Sequence, residues 1–257
     1  MTSKLRNEQV PNISVDCVLF GFKKNQLHVL LIKQAFPKHL TFDFQAQYAL
    51  PGDLVWENES LDSAASRVLF ELTGIQNIFL EQFKSFGHPE RVNQSKDKTW
   101  LKLTRKEPES RVITVAYFSL INAEKVKLKP GGFSSEAKWK PMNQLPELAF
   151  DHNQIVQEAT EKLKLQIQLQ PIVGELLPSK FTMSDLQALY ESILNCKLDK
   201  RNFRRKMINS HVIIPLDEKR TDLGNKPAQF FKFNILKKEE LSHFYNLRVD
   251  SHFNTLK

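Results

Sequence analysis

The stretch from Ser60 to Gly74 constrains the fold most strongly, because both ends and the buried face of a helix can be read from it. Apolar side chains recur there at i, i+3, i+4, i+7, i+8 and i+11, which is the spacing of an amphipathic helix. They are Leu61, Ala64, Ala65, Val68, Leu69 and Leu72. Ser60 suits an N-cap, and Gly74 suits a C-terminal stop. We therefore predict one helix between these residues.

Segments typical of β-strands lie on both sides of this helix. Two β-branched and aromatic runs, Ile13–Phe22 and Leu27–Lys33, flank a short polar segment and predict a hairpin. Val112–Ile121 has the composition of a buried strand, and the lysine-rich stretch Asn93–Glu109 before it is predicted to be an exposed loop. Because strands and helices are interleaved, we expect an α/β or α+β fold.

Length and composition indicate a folded globular protein. The chain has 257 residues, of which 41% are hydrophobic and 26% charged, so it can bury one core or one core plus a small domain. It has no run of about 18 apolar residues and no apolar signal-peptide segment at its start. We expect a cytoplasmic protein with no membrane partner. Cys17 and Cys196 are far apart and lack metal-type spacing, so we expect neither disulfides nor zinc.

The segment Ala49–Ile75 resembles the Nudix box, a loop–helix–loop that holds a divalent metal over a pyrophosphate. The register follows from Pro51-Gly52, Glu59-Ser60-Leu61, Arg67, Glu71 and Thr73-Gly74-Ile75. The resemblance implies carboxylates at the positions of Val68, Glu71 and Leu72, which share one helical face. Only Glu71 is acidic here. We therefore expect a degenerate box without catalytic residues, metal or cofactor, in which Glu59, Arg67 and Glu71 are remnants.

The C-terminal third shows the order of elements of a winged helix. Asp151 can cap a helix that ends before Pro171, and Thr182 with Asp185 forms a capping-box pattern before a second helix. Asp199 can cap a third helix, and two strand-like runs follow it. We predict a Nudix-like domain over 1–170, a winged-helix domain over 171–240, and a C-terminal tail over 241–257 without an assigned role.

The third of these helices concentrates positive charge. Residues 197–206 contain six basic residues and one acidic residue, a formal charge of +5. Phe203 and Met207 are spaced to pack inward, which leaves arginines on a neighbouring face that suits phosphate or guanine. The predicted DNA contacts, which include the loop between the two strands as a wing, are Lys200, Arg201, Asn202, Arg204, Arg205, Lys219, Arg220 and Lys226.

Taken together, the two halves resemble the Nudix-related transcriptional regulators of bacteria. The matching stretches are Leu80–Arg91, Ser110–Ile121, Phe181–Leu194, Leu198–Ser210 and Asn225–Phe233. The resemblance implies a Nudix-like α/β/α sandwich with a C-terminal winged helix-turn-helix domain. It also implies a homodimer on double-stranded operator DNA and a small-molecule effector, either ADP-ribose of NAD metabolism or a pentose such as arabinose. Compared with members of this family, the stretch 92–109 is an insertion.

The effector contacts are predicted from the segment Phe86–Arg91, which matches the family, and from the following strand. Arginine and imidazole suit a phosphorylated ligand. The candidates are Phe86, His88, Arg91 and Arg111.

Two other functions remain open on the sequence alone. A Nudix hydrolase acting on ADP-ribose or another nucleoside diphosphate derivative could use the carboxylates Asp53, Glu57, Glu59 and Glu71. An RNA-binding or accessory module could use the basic helix without operator specificity.

Overall fold

The computed structural model contains two β-sheets and describes residues 12–35, 47–169, 176–221 and 227–234. The predicted boundary at residue 170 and the predicted tail from 241 to 257 lie outside these ranges, as does Lys226.

The helices and strands follow one another in a mixed order along the described chain. The α-helices there are Leu61–Thr73 (α1), Lys98–Thr104 (α2), His152–Leu169 (α3), Met183–Leu194 (α4) and Lys200–Asn209 (α5). The strands are Asn12–Lys23 (β1), Gln26–Gln34 (β2), Tyr48–Ala49 (β3), Gly52–Leu54 (β4), Glu81–Phe86 (β5), Val112–Ile121 (β6), Ser134–Pro141 (β7), Phe181–Thr182 (β8), Ile213–Arg220 (β9) and Ala228–Phe233 (β10). Within the described ranges, no helix is long and apolar enough to span a membrane.

Strand β1 is the centre of the larger sheet. It runs parallel to β6, from Asn12 opposite Val112 to Gly21 opposite Ile121, and antiparallel to β2. The order is β3-β2-β1-β6-β5, with β4 paired to β1 and β7 paired to β2. The β1–β2 hairpin closes on Lys24, whose φ is 50°, and Asn25, whose φ is 58°. Positive φ at both central residues is typical of a tight two-residue hairpin turn, so the predicted hairpin is confirmed.

The two faces of this sheet are covered by different helices, because successive side chains of a strand point to opposite faces. Val15, Cys17 and Leu19 belong to the apolar cluster that contains the buried face of α1. Val18 and Phe20 belong to the cluster that contains the buried face of α3. The predicted α/β/α sandwich is therefore confirmed.

Helix α1 has the predicted ends. The Ser60 Oγ accepts a hydrogen bond from the Ser63 backbone N–H at 3.1 Å. Gly74 adopts a φ of 75°, a conformation that side chains with a Cβ rarely adopt. Val68 and Leu72 are buried against the sheet, so the helix turns its apolar stripe inward as its spacing predicts.

The prediction of an exposed loop over Asn93–Glu109 is wrong in part. The segment contains helix α2, and within this helix Trp100 and Leu101 are buried. Leu101 packs with Val92 and Val112 in a small apolar cluster. The whole segment is rich in lysine, and its charge therefore masked the two apolar side chains by which this short helix packs.

The C-terminal part has the winged-helix order that the sequence predicts. Its sheet has the order β8-β10-β9, with α4 and α5 between β8 and β9. The Thr182 Oγ1 accepts from the Asp185 backbone N–H at 3.2 Å, and the Asp185 carboxylate accepts from the Thr182 backbone N–H at 2.8 Å. These reciprocal bonds form the predicted capping box.

Helix α4 packs directly against the larger sheet. The Leu27 backbone N–H, at the start of β2, donates to the Ser192 Oγ at 2.6 Å. Leu189 and Ile193 of α4 belong to the same apolar cluster as Leu27 and Leu163. The two parts of the chain therefore share one hydrophobic core.

Candidate functional site

Helix α5 presents a basic face to solvent. The Asp199 Oδ1 accepts from the Asn202 backbone N–H at 2.8 Å, which caps the helix as predicted. Phe203 and Met207 are buried, and the Phe203 ring lies 5.4 Å from the ring of Tyr190 on α4. This packing fixes the direction of the opposite face.

Five predicted DNA contacts lie on that face, and all five are exposed. They are Lys200, Arg201, Asn202, Arg204 and Arg205. The Arg205 Nη2 donates to the Asn202 Oδ1 at 3.0 Å, so the amide oxygen of Asn202 is oriented by a neighbouring arginine. The helix thus carries a cluster of cations next to one amide side chain.

The hairpin that follows carries the other three predicted DNA contacts. Lys219 is exposed at the end of β9. Arg220 donates to both carboxylate oxygens of Asp185, at 3.2 and 3.0 Å, and therefore ties β9 to the start of α4. Lys226 lies outside the described residues.

The box remnants form a closed ion-pair network. Arg67 pairs with Glu59 and, at 3.2 Å, with Glu71. Its Nη2 also donates to the Leu54 carbonyl at 3.0 Å, and its guanidinium lies 3.7 Å from the centre of the Trp56 ring. The hydrogen bond from Arg67 holds the pKa of Glu59 below its usual range. Both carboxylates therefore brace the loop before α1.

Among the described residues, no group of three or more His, Cys, Asp or Glu side chains could hold a metal ion. On α1, the two positions where the family resemblance implies further carboxylates hold Val68 and Leu72, and both side chains are in the apolar core.

A narrow cavity lies beside β1, β4 and α2. Its lining combines titratable side chains, Asp16, Asp53, Arg91, Arg105 and His152, with the aromatic side chains Trp100, Phe133 and Phe150. Its volume is about 30 Å³, which is room for about two water molecules.

Asp16 and Arg91 form the buried centre of the cavity wall. The Arg91 side chain is 3% exposed, and its Nη2 lies 3.3 Å from the Asp16 Oδ2. Its Nε and Nη2 also donate to the two carboxylate oxygens of Asp151, at 2.9 and 2.8 Å. Arg91 is therefore held between two carboxylates.

His152 supports Asp16 from the other side. The Leu50 backbone N–H donates to the His152 Nδ1 at 2.9 Å, so Nε2 carries the ring hydrogen. That Nε2 lies 3.3 Å from the Asp16 Oδ1. Burial raises the pKa of the Asp16 carboxyl, but His152 and Arg91 outweigh burial and hold this pKa well below its usual range.

The structure brings one of the four predicted effector contacts to this cavity. Arg91 lines it, whereas Phe86 is buried in the core on β5. His88 is exposed, and its Nδ1 accepts from the Glu90 backbone N–H at 3.2 Å. Arg111 is exposed and donates to the Gly87 carbonyl at 3.1 Å. The last two hold the β5–β6 connection.

Sequence reasoning missed several residues of the cavity. Asp16 had a signal, because it is a lone carboxylate in an otherwise apolar strand. Trp100 and Arg105 lie in the stretch that the sequence predicts to be an exposed loop, so residue patterns did not indicate them.

Comparison with known proteins matches both parts of the chain. Models of the NUDIX domain and of the NrtR DNA-binding winged helix domain match residues 10–161 and 173–233, respectively. The chain is 32% identical over 229 residues to the ADPR responsive transcriptional repressor NtrR of Acinetobacter baylyi, covering 88% of this chain and 83% of the relative. It is 28% identical over 149 residues to an ADP-ribose pyrophosphatase of Methanocaldococcus jannaschii, covering 58% and 72%.

A solved structure extends the match to the fold. The crystal structure of Shewanella oneidensis NrtR complexed with a 27mer DNA has a TM-score of 0.63 and 27% identity, covering 86% of this chain and 93% of that chain.

A Nudix sandwich joined to a winged helix with an exposed basic face defines a class of protein, the Nudix-related transcriptional regulators. Within that class, this chain belongs to the NrtR family of DNA-binding repressors. The family resemblance seen in the sequence is thereby confirmed.

Proposed function

We propose that the chain is an ADP-ribose-responsive repressor that binds operator DNA as a cytoplasmic homodimer. In this proposal residues 1–170 sense the effector and residues 171–240 bind DNA. The observation that carries it is the 32% identity to the ADPR responsive repressor of A. baylyi across most of both chains. The same similarity favours ADP-ribose over the pentose alternative.

The DNA interface that we propose is the exposed face of α5. Lys200, Arg201, Arg204 and Arg205 supply cations that neutralise phosphates or pair with guanine. Asn202 supplies an amide that suits adenine once the Arg205 hydrogen bond is exchanged for the base. Lys219 and Lys226 reach the backbone from the wing, whereas Arg220 acts indirectly, because its pairing with Asp185 positions the wing against α4.

The Nudix domain acts in this proposal as a sensor without hydrolase activity. Magnesium needs several hard oxygen ligands to neutralise phosphate and to activate water. The burial of Val68 and Leu72 and the pairing of Glu59 and Glu71 with Arg67 leave no such set on α1.

A hydrolase remains the second candidate function, because the chain is also similar to the M. jannaschii ADP-ribose pyrophosphatase. Magnesium-dependent hydrolysis of ADP-ribose that is lost in Glu71→Gln would support it.

Control of DNA binding follows from linkage. ADP-ribose changes operator affinity only if it binds one arrangement of the dimer more tightly than the other. The preferred arrangement then sets the distance between the two α5 helices, and this distance has to match the spacing of the operator half-sites.

The test is fluorescence anisotropy with labelled duplex DNA from upstream of the protein's own gene and neighbouring genes, at one physiological salt concentration. We expect a preference of about a thousandfold over a scrambled duplex and release of the operator by ADP-ribose but not by arabinose. Equal affinity for operator, scrambled DNA and RNA would instead identify a nonspecific nucleic-acid-binding module. Specific binding that arabinose alone reverses would assign the pentose effector.

A further inference from the structure

The segment between β5 and β6 forms one wall of the cavity beside β1. Trp100 and Thr104 of α2 and Arg105 just after it all line the cavity. The Trp100 ring lies 5.7 Å from the Phe150 ring and 6.3 Å from the Phe133 ring, both in edge-to-face contact. Three aromatic side chains from three parts of the chain therefore meet at this wall.

Arg105 differs from Arg91 in its hydrogen bonding, although the charges of Asp16 and Asp53 also act on it. All the polar contacts of Arg91 described above go to Asp16 and Asp151, so its charge is compensated inside the protein. The Arg105 Nη1 is buried, and among the residues that the structure describes it has no hydrogen-bond partner. A buried guanidinium nitrogen without an acceptor is costly, and an anion in the cavity would supply the missing acceptor.

The carboxylates of the cavity are compatible with an anionic ligand. Asp16 is paired with Arg91 and His152. The other carboxyl, Asp53, is partly buried, and this burial raises its pKa, which disfavours its charged form. The uncompensated hydrogen-bond donor of the cavity is thus on Arg105.

We infer that the segment 93–109 is part of the effector site: Arg105 binds a phosphate oxygen of a nucleoside diphosphate ligand, and Trp100 contributes to an aromatic wall for the base. This inference rests on the effector-sensing function proposed above and names residues that bind the effector. A nucleoside diphosphate combines the two groups that this wall suits, an anion for a guanidinium and a flat ring for aromatic side chains.

The size of the cavity adds a conformational step. A volume of about 30 Å³ is far below the several hundred Å³ of sites for small organic ligands. The cavity therefore has to widen when the ligand enters, and we expect α2 to move outward so that the ligand replaces the contacts that Trp100 makes with Phe133 and Phe150.

Calorimetric titration of the full chain tests the role of Arg105. We compare the wild type with Arg105→Gln, Arg105→Lys and the control Lys102→Gln, which removes an exposed charge from the same helix. The probes are ADP-ribose, inorganic pyrophosphate and adenosine. We expect Arg105→Gln to weaken ADP-ribose and pyrophosphate at least about tenfold and to leave adenosine affinity unchanged. Arg105→Lys should retain part of the binding, and Lys102→Gln should behave as wild type.

The outcomes separate this inference from the proposed function. If the wild type and Arg105→Gln bind ADP-ribose equally, the role of Arg105 is overturned and the sensor function stands. If the wild type binds pyrophosphate through Arg105 but does not bind ADP-ribose, the anion site is supported and the assigned effector is overturned. If a wild type that is folded, as verified by thermal unfolding, binds neither ADP-ribose nor pyrophosphate, both the role of Arg105 and the sensor function are overturned.

A second readout follows the movement of α2. Ligand binding should change the tryptophan fluorescence of the wild type, because Trp100 leaves its buried contacts. The change should disappear in Trp100→Phe, which retains Trp56 and Trp139. A change of equal size in Trp100→Phe would contradict the inferred displacement of this helix.

Discussion

At the scale of single residues, the most consequential side chain is Asp16. It lies in the middle of a buried strand, where a carboxylate is stable only if other groups compensate its charge. The Arg91 guanidinium does so at 3.3 Å, the His152 Nε2 supports the carboxylate at 3.3 Å, and Asp151 completes the pairing of Arg91. One acidic residue of β1 thus links the segment after β5 and the start of α3 to the central strand.

The first prediction concerns removal of that charge. Asp16→Asn should lower the free energy of unfolding by about 3–5 kcal/mol, because it leaves the buried Arg91 with a partner missing. Urea denaturation followed by circular dichroism measures this. Asp217→Asn, an exposed carboxylate on β9, is the control and should change stability by less than about 0.5 kcal/mol.

The same residue gives a pH dependence of known sign. The folded state lowers the pKa of Asp16 below its ordinary value of 3.8, so folding releases a proton in acid. The stabilisation is present above about pH 4 and is lost as the pH falls towards the folded pKa. The wild-type advantage over Asp16→Asn should therefore shrink below pH 4, and an advantage that grows in acid would contradict this account.

The sequence predicted the features that depend on the spacing of nearby residues. The caps at Ser60, Thr182 and Asp199 are encoded within three residues of each helix start and were confirmed. The pairing of Arg91 with Asp16 joins residues 75 positions apart, and no local pattern contains that information. His88 and Arg111, chosen by residue type, instead bond to nearby backbone.

At the scale of secondary-structure elements, α1 is a Nudix helix in which two of the three positions implied to hold carboxylates are apolar. Its buried stripe includes Val68 and Leu72, so the positions that would hold carboxylates now contribute to the core. On the other side of the helix, Arg67 forms ion pairs with Glu71 of the same helix and with Glu59 of the preceding loop.

The second prediction tests this use of α1. Val68→Glu should lower stability by more than about 4 kcal/mol, because it places an unpaired carboxylate in the apolar core. Phe70→Glu, at a position that is 52% exposed on the same helix, should have little effect. Thermal unfolding compares the two. A stable Val68→Glu protein that gains magnesium-dependent hydrolysis of ADP-ribose would contradict the assignment of α1 as a structural helix.

Helix α5 gives the third prediction. Arg204→Glu combined with Arg205→Glu should weaken operator binding at least about tenfold, because each lost contact costs about 1–3 kcal/mol. Both side chains are exposed, so thermal stability should hardly change.

Lys125→Glu combined with Lys127→Glu is the matched control for this experiment. It makes the same change of net charge at two exposed positions between β6 and β7. Anisotropy should show near-normal operator binding for the control. Equal losses in the two double variants would indicate a general charge effect and would refute the assignment of α5.

At the scale of the whole molecule, a formal net charge of +8 favours anionic partners in general. The distribution of this charge matters more, because the proposed DNA contacts that lie within the described residues cluster on one helix and at the end of one strand. A surface of this kind binds DNA largely by releasing counterions.

The fourth prediction follows from counterion release by a dimer. The logarithm of operator affinity should fall by about 0.9 per neutralised phosphate for each tenfold rise in salt, and two chains should bind one operator duplex. Anisotropy over a salt series and sedimentation of the complex measure these quantities. A flat salt dependence, or one chain per operator, would contradict the proposed dimer.

The secondary-structure elements of the two parts were easier to predict than the contacts between these parts. Periodicity and caps predicted the α/β class and the order of the winged helix, since each element carries its own pattern, and the family resemblance implied the sandwich. The packing of α4 on β2 through Leu27 and Ser192 had no such pattern, because it joins two elements 165 residues apart.

This packing has a consequence for protein engineering. Leu189 and Ile193 complete an apolar surface that belongs to the Nudix sheet, so a fragment containing the winged helix alone would expose them to water and tend to self-associate. The winged helix alone is therefore poorly suited to fusion with other sensor domains. A chimeric regulator built from this chain should keep the hairpin of β1 and β2 together with α4 and exchange the residues on α5 that we propose to bind the operator.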